Sequence, residues 1–590
     1  MLEKEYLEEK FNSQGDQWKF LKKYNDNVTA HPPNNILYNG EYHTSPRSIA
    51  NLSNNYFISK INTIMASFTP HVVGALDILK YLIPRNENVF ILPQITIEET
   101  IKMIKNIKNS NATGHDDISN KIIKKLGPKI APHITHLINC CIQSKTVPKI
   151  FKISRILPLS KPLKPDFLLS SYRPINNLPC LEKLLEHHVI HHLNIFLSSN
   201  NIINHNHHGG RKGYSTTTAL TQIYHTLNVE FEQNNIGVTL TTDMSSAFDT
   251  IDNFLLLLKL EHYGIRGDSL MFFKSYFTDR QQYVEIECFK SDVKLSPLCG
   301  CVQGGKLSGV LYTLYTNEIP LLHNLMFTNM FEKLTNIKPV KFNIVNHVTV
   351  CFVDDATHLI FFNNTNNIKL YLTHFYTLLH VFHNINKLKI NSDKTQLVLH
   401  AKHKFMPQLS NFHFFADIHK IKAKNCIKIL GTYITSDLKF DTAVGKLTAT
   451  LHNRIFNIKK LTPVTNFKNR LKFLNAYVIG KLIYACPLYM NASEHNLAKL
   501  HKVVMTAARA AIGNYCLKKS IIYILKKCNW LSAKNIIINS SLNLIHKIII
   551  NQSPPVIFNL FKNIKTKRKV VDVTLKYCPK TKSVKNFFYL

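Results

Sequence analysis

The chain has 590 residues, 45% of them hydrophobic, enough for three or four packed units. Its 73 Lys and Arg against 37 Asp and Glu leave a formal charge of +36, a surplus that answers a polyanion, with nucleic acid the first candidate and an anionic membrane surface the second. No apolar run reaches the roughly 18 residues of a spanning helix, Met1-Leu2-Glu3-Lys4-Glu5 is too charged for a signal peptide, and twelve scattered cysteines give neither a disulfide framework nor zinc-finger spacing. A chain working in the nucleus and cytoplasm, with reduced thiols and no membrane, is the expectation.

In chain order, residues 1–95 are mixed, with polar breaks such as His31-Pro32-Pro33-Asn34-Asn35. Over 96–235 helical patterns alternate with turn clusters. There His187, His188, His191 and His192 make two i, i+4 pairs, a spacing that can hold zinc. With no third ligand in order, they read as solvated or phosphate-facing side chains. Short β-type runs follow over 236–440. Val238, Leu240 and Thr242 alternate with their neighbours up to Asp243, as in a half-buried strand. Val348 to Phe352 and Thr357 to Phe361 flank Asp354-Asp355, which predicts a hairpin with both aspartates at its turn.

From 441 the pattern is helical. Leu451, Ile455 and Ile458, then Leu471, Leu474 and Val478, then Leu497, Leu500 and Val504 recur at helix spacing. Lys459, Lys460, Lys468, Arg470, Lys472, Lys499, Lys502 and Arg509 lie between them, so a basic helical bundle that suits a nucleic-acid backbone is predicted. The tail carries Lys565, Lys567, Arg568 and Lys569, readable as a nuclear signal or as further phosphate contacts.

Three features carry chemistry when taken together: the strand ending at Asp243, the hairpin with Asp354 and Asp355, and the intervening glycine-rich stretch Gly300 to Gly309. Three crowded carboxylates oppose one another's ionisation unless a cation neutralises them. Oxygen-only ligands favour a hard ion such as Mg²⁺, and two such ions serve in-line phosphoryl transfer. In a basic protein that is polymerase chemistry.

An ordered series of motifs resembles the reverse transcriptases of non-LTR (LINE-like, jockey-type) retrotransposons. Lys108 to Ile118 looks like the segment before the fingers. Ser171-Tyr172-Arg173-Pro174-Ile175 looks like the fingers motif, and His207-His208-Gly209-Gly210-Arg211 matches the next one loosely. Asp243 to Asp249 matches "D-x-x-x-A-F-D", Gln303-Gly304-Gly305 matches "P-Q-G-S" in part, and Phe352-Val353-Asp354-Asp355 looks like "[YF]-x-D-D". Leu388 to Thr395 is similar to "L-x-x-N-x-x-K-T", and Leu430-Gly431 looks like the primer-grip strand pair.

The resemblance implies an α+β fold: a right-hand polymerase with fingers and palm over 96–440 and an α-helical thumb over 441–530. A linker region over 1–95 precedes them and a basic region over 531–590 follows. It implies an RNA-directed DNA polymerase, a nucleotidyltransferase that extends a DNA primer 3′-OH with dNTPs on an RNA template. The primer is usually a nicked target DNA. The implied cofactor is Mg²⁺, two ions, with Mn²⁺ able to stand in. Asp243 and Asp354 would ligate metal, and Asp355 would complete the cluster. Lys394 would protonate the leaving pyrophosphate. Lys161 and Arg173 would meet the triphosphate, and Phe248 would exclude a 2′-OH. Gln303 and Gly304 would lie against the templating pair, where a missing side chain lets a backbone approach closely.

Gly305 stands where the family usually has Ser, Val302 and Val310 where it has Pro, and Gly210 where Phe is common. The family's endonuclease is expected to be lacking, with the first ninety residues resembling the linker that would join it. The rival readings are a catalytically degenerate nucleic-acid-binding remnant, a group II intron-type maturase, and a membrane-surface protein drawn by charge.

Overall fold

The computed structural model describes residues 14–25, 33–162, 164–409, 411–416, 419–513, 520–567 and 570–575. Helix α1 (Pro46–Ala66) opens with proline at its first position, where the missing N–H costs nothing. Strands β1 (Ile153–Ser160) and β2 (Tyr172–Asn177) follow, then helices α2 (Cys180–Ser199) and α3 (Thr216–Glu232). Next come β3 (Ile236–Thr242), β4 (Gln281–Ile286), β5 (Ile344–Phe352), β6 (Asp355–Phe362), α4 (Ile368–Ile385) and β7 (Gln396–His400). The hairpin β8 (Cys426–Ile429) and β9 (Thr432–Thr435) leads into helices that include α5 (Asp441–Lys459), α6 (Glu494–Ile512) and α7 (Ala533–Asn551).

The chain is thus mixed α and β, as expected. Its central sheet is antiparallel throughout, in the order β5-β6-β3-β7. A second sheet places β1 between antiparallel β2 and parallel β4, and α1 packs on β4. Asn54 of α1 donates to the Asp292 carbonyl and accepts from Gln282, so the amide is satisfied in a buried place.

β3 departs from expectation. Six of its seven residues are buried, so it is covered on both faces rather than half-exposed. Ile236, Val238 and Leu240 enter one core with Phe375 and Leu379 of α4. Against the opposite face of the sheet, Leu359 and Phe361 of β6 and Val398 of β7 join Leu220, Ile223 and Tyr224 of α3. That second core runs on into the C-terminal helices, where Leu451, Ile455, Ile458, Leu474, Val478, Leu500 and Val504 are buried as their spacing predicts. One floor of apolar side chains therefore joins the sheet to the helical unit.

Two sequence readings need correction. His188 is buried, with its Nε2 2.7 Å from the Pro93 carbonyl oxygen, so it is neither solvated nor phosphate-facing. Burial lowers its pKa, and the neutral ring is the form this site holds. Arg470 is also absorbed by the fold. Its guanidinium donates to the carbonyls of Ala511, Thr462 and Thr465, closing the end of α6 onto the preceding turn. Arg568 and Lys569 of the basic tail lie outside the described residues. No helix among the described residues is long and apolar enough to cross a membrane.

Candidate active site

Phe352 pairs with Asp355 across the β5–β6 hairpin, so Val353 and Asp354 form a two-residue turn and Asp355 opens β6. Val353 takes φ 58°, an unusual place for a β-branched residue. The turn is braced from outside the sheet. His207 bridges Cys351 in parallel, the His208 N–H donates to the Cys351 carbonyl at 2.8 Å, and the Cys351 N–H donates to Asn206 at 2.9 Å. Gly209 then meets Val353 directly. A Cβ there would lie 2.6 Å from Val353 Cγ2 and 2.8 Å from its backbone nitrogen. His208 is held in turn by Thr218 and Gln222 of α3, at 2.9 and 2.8 Å.

Asp243 stands at the end of β3, in the strand beside β6. Its carbonyl accepts from the Asn391 N–H at 2.9 Å, and Met244-Ser245 pairs with Lys389-Ile390. This pairing delivers Lys394, whose Nζ lies 2.7 Å from Asp243 Oδ2. Asp243, Asp355, Lys394, Lys428 and Leu430 line one cleft. The β8–β9 turn, Leu430-Gly431, thus borders the cleft that holds the carboxylates. It is tied to the helical unit by the Tyr484 hydroxyl, which donates to the Leu430 carbonyl.

The electrostatics match three neighbouring carboxylates. Enclosure by the cleft walls, then the charges of Asp354 and Asp243, push the Asp355 carboxyl up to about 6. Burial, and Asp243 beside it, raise Asp354 as well. Such groups fit a divalent cation by donor type and by charge. Among the described residues no three His, Cys, Asp or Glu side chains are drawn into a ready cage, and Asp243 is held by Lys394 instead.

Phe248 lies half-buried on the Tyr312 ring at 5.0 Å, and its carbonyl accepts from the Cys301 N–H. Gln303 accepts from the Asn176 N–H at 3.0 Å, and Gly304 takes φ +124°, where a Cβ would sit 2.6 Å from the Asn176 carbonyl oxygen. Gly304 does permit a close backbone approach, and the backbone that approaches is β2. The neighbouring turn is held by Glu186, which accepts from the Lys306 N–H at 2.8 Å and from the Tyr276 hydroxyl at 2.5 Å. A Cβ on Gly305 would lie 2.8 Å from Glu186 Oε1, so that carboxylate occupies the space a serine side chain would need.

On β2, Arg173 is exposed, and Lys161 follows β1 with its ammonium donating to the Ser170 carbonyl at 2.6 Å. Desolvation, then the like charges of Lys60, Arg173, Lys394 and Lys164, lower the Lys161 pKa. Lys60 was invisible to motif reading. It lies on α1, outside every motif, and only its helical register could have marked it. Its Nζ reaches Ser246 Oγ at 3.1 Å, inside the loop between Asp243 and Phe248.

Comparison with known proteins gives the same reading. Residues 162–434 match the reverse transcriptase (RNA-dependent DNA polymerase) family. In Drosophila melanogaster, the probable RNA-directed DNA polymerase from transposon BS is 26% identical over 287 residues, covering 48% of this chain and 30% of the relative. The probable polymerase from transposon X-element is 27% identical over 38% of this chain and 24% of the relative. The RNA-directed DNA polymerase from mobile element jockey is 24% identical over 44% and 28%. The chain spans under a third of the length of these relatives. The segment that matches the reverse-transcriptase family contains Asp243, Asp354 and Asp355 together with their cleft, and the relatives it resembles are RNA-directed DNA polymerases of the BS, X-element and jockey elements.

Proposed function

We propose that the chain is an RNA-directed DNA polymerase that extends a DNA primer 3′-OH with dNTPs on an RNA template. In this reading the central sheet is the palm, the β1–β2–β4 sheet belongs to the fingers, and the helices over 441–530, α5 and α6 among them, form the thumb. The nicked end of a target DNA supplies the primer, and the work is done in the nucleus and cytoplasm. The observation that carries the reading is the cleft that places Asp243, Asp355 and Lys394 beside the Leu430 turn, with Asp354 at the head of the same hairpin.

Each residue then has a task its position suits. Asp243 and Asp354 would hold Mg²⁺, two ions or Mn²⁺ in their place, with Asp355 completing the acidic set. When bound, such ions activate the primer hydroxyl and neutralise the leaving pyrophosphate. Lys394 sits close enough to the carboxylates to give a proton to the departing group. Arg173 and Lys161 take the triphosphate, for which Arg offers paired donors. Phe248, stiffened by Tyr312, presents bulk where a ribose 2′-OH would come. Leu430 and Gly431 seat the primer end, and Gln303 with Gly304 faces the templating pair.

The test is primer extension on poly(rA)/oligo(dT) with Mg²⁺, comparing wild type with Asp354→Asn. Extension that the substitution abolishes supports the reading. No extension by wild type, together with tight, salt-sensitive duplex binding, would leave an inert nucleic-acid-binding protein and sink the enzyme claim.

A further inference from the structure

Lys60 reaches the loop that follows Asp243 from α1, a helix that lies well before the segment matching the polymerase family. It sits on α1, a helix fastened to the second sheet by burial of Phe57 and Ile61 and by the Asn54 hydrogen bonds. α1 therefore presents Lys60 from a fixed frame. The ammonium is half-buried and reaches Ser246 Oγ at 3.1 Å, three residues beyond Asp243 and two before Phe248. It also lines a cavity with Tyr172 and Asn176 of β2, Asp249 and Cys301.

The charges around it are unbalanced. Lys161, Lys164, Arg173 and Lys394 are the cations that share this field, and Lys161 feels Lys60 before any of the others. Lys394 is paired with Asp243. Against Lys60 itself stands Asp249, whose carboxyl is pushed up to about 6 by burial even with Lys60 opposing. One buried carboxyl does not offset this many cations. The remaining positive charge is gathered at the entry to the Asp243–Phe248 loop. Its complement is a compact polyanion, and a triphosphate is one.

We propose that Lys60 is a further binding residue for the triphosphate of the incoming nucleotide, contributed by α1 to the Asp243–Phe248 loop. The inference rests on the polymerase reading. It adds to that reading a contact from a helix N-terminal to the family-matched segment. The plainer alternative is that Lys60 only props Ser246, and the two differ in what they predict for Arg at this position.

The experiment uses the full chain with a poly(rA)/oligo(dT) duplex whose primer end is dideoxy-terminated. Binding of dTTP with Mg²⁺ is titrated for wild type, Lys60→Met and Lys60→Arg. Met keeps the aliphatic stem and removes the charge. The expected result is affinity for dTTP lowered about tenfold or more in Lys60→Met and largely restored in Lys60→Arg, with duplex affinity unchanged. With an extendable primer, the KM for dTTP rises by the same factor and kcat stays within about twofold. Unchanged dTTP affinity in Lys60→Met overturns the inference. So does a loss of kcat alone that Arg fails to restore, because that marks a prop for the loop. Wild type that binds dTTP in a Lys60-dependent way yet extends no primer upholds the site and refutes the polymerase reading.

Discussion

Gly209→Ala tests how the aspartate turn is held. The added methyl would stand 2.6 Å from Val353 Cγ2 and 2.8 Å from Val353 N, where carbon contacts settle at about 3.5–4.0 Å. Roughly 1 Å of movement is needed. Gly209 cannot supply it, because the bonds from Asn206 and His208 to Cys351 fix the chain just before it. The turn must yield, and Val353 carries Asp354 with it. Overpacking of this kind costs about 1–3 kcal/mol. A displacement near 1 Å at a reacting centre costs on the order of a hundredfold in rate. Gly210→Ala is the matched control. Its φ of +68° strains any side chain by about 1–2 kcal/mol, but nothing lies within 4 Å of the new Cβ. Steady-state primer extension and duplex binding are measured for both. The expected outcome is kcat lowered about a hundredfold in Gly209→Ala and by less than about threefold in Gly210→Ala, with duplex affinity equal in both. Equal kcat in the two variants would refute the bracing argument.

Acid should unfold the protein through its buried histidines. Burial depresses His207 and His358 to about 3, and His208, His383 and His400 to about 4. A depressed folded value means stability present above the unfolded value of about 6.5 and lost as pH falls toward 4. At pH 5.5 each ring costs roughly 1.4 kcal/mol, together roughly 7, so thermal melts should shift sharply down between pH 7.5 and 5.5. Lys259 and Glu318 form a fully buried pair at 2.7 Å. Lys259→Met should destabilise by about 3–5 kcal/mol in denaturant melts, and adding Glu318→Leu should recover most of it, since the stranded carboxylate is the main cost. Phe248→Ala should raise incorporation of ribonucleotides relative to dNTPs in single-nucleotide extension, and an unchanged ratio would remove Phe248 from the proposed role.

The aspartate hairpin was legible because strand alternation and a two-residue turn are local. Val348 to Phe361 announces both, and the observed register differs by one residue, with Val353-Asp354 as the turn and Asp355 already paired in β6. The helical register after 441 was legible for the same reason. The burial of β3 on both faces was not, because alternating Val, Leu and Thr leaves open what covers the threonine side. The cover proved to be α3 and the C-terminal helices, and Thr239 meets His400 there at 2.9 Å. His188 and Arg470 were misread because their charge suggested an outward role. Their partners, the carbonyls of Pro93 and Ala511, lie 95 and 41 residues away. Gly209 and Lys60 gain meaning only from Val353 and Ser246, which no local pattern connects to them.

The proposed site joins charges of both signs, and this limits what can bind there. Asp354 and Asp355 rise from the central sheet beside Asp243, and burial with the neighbouring charge makes those two harder to ionise. Lys161 has Lys60, Arg173 and Lys394 in its field, and their like charge, added to burial, lowers its pKa. A simple anion would relieve the lysines and burden the aspartates, and a free cation would do the reverse. A nucleoside triphosphate carrying divalent ions relieves both, since its phosphates answer the lysines and its metals answer the carboxylates. Until it arrives, Lys394 and Asp243 answer each other across 2.7 Å. Binding must therefore separate that pair, which would free the ammonium beside the phosphate that is to leave. Asp243→Asn would release Lys394 in advance. It should keep or tighten dTTP binding measured without metal, while abolishing extension with Mg²⁺. A variant that lost both would refute this, because the ion pair would then be positioning the lysine for the nucleotide and not withholding it.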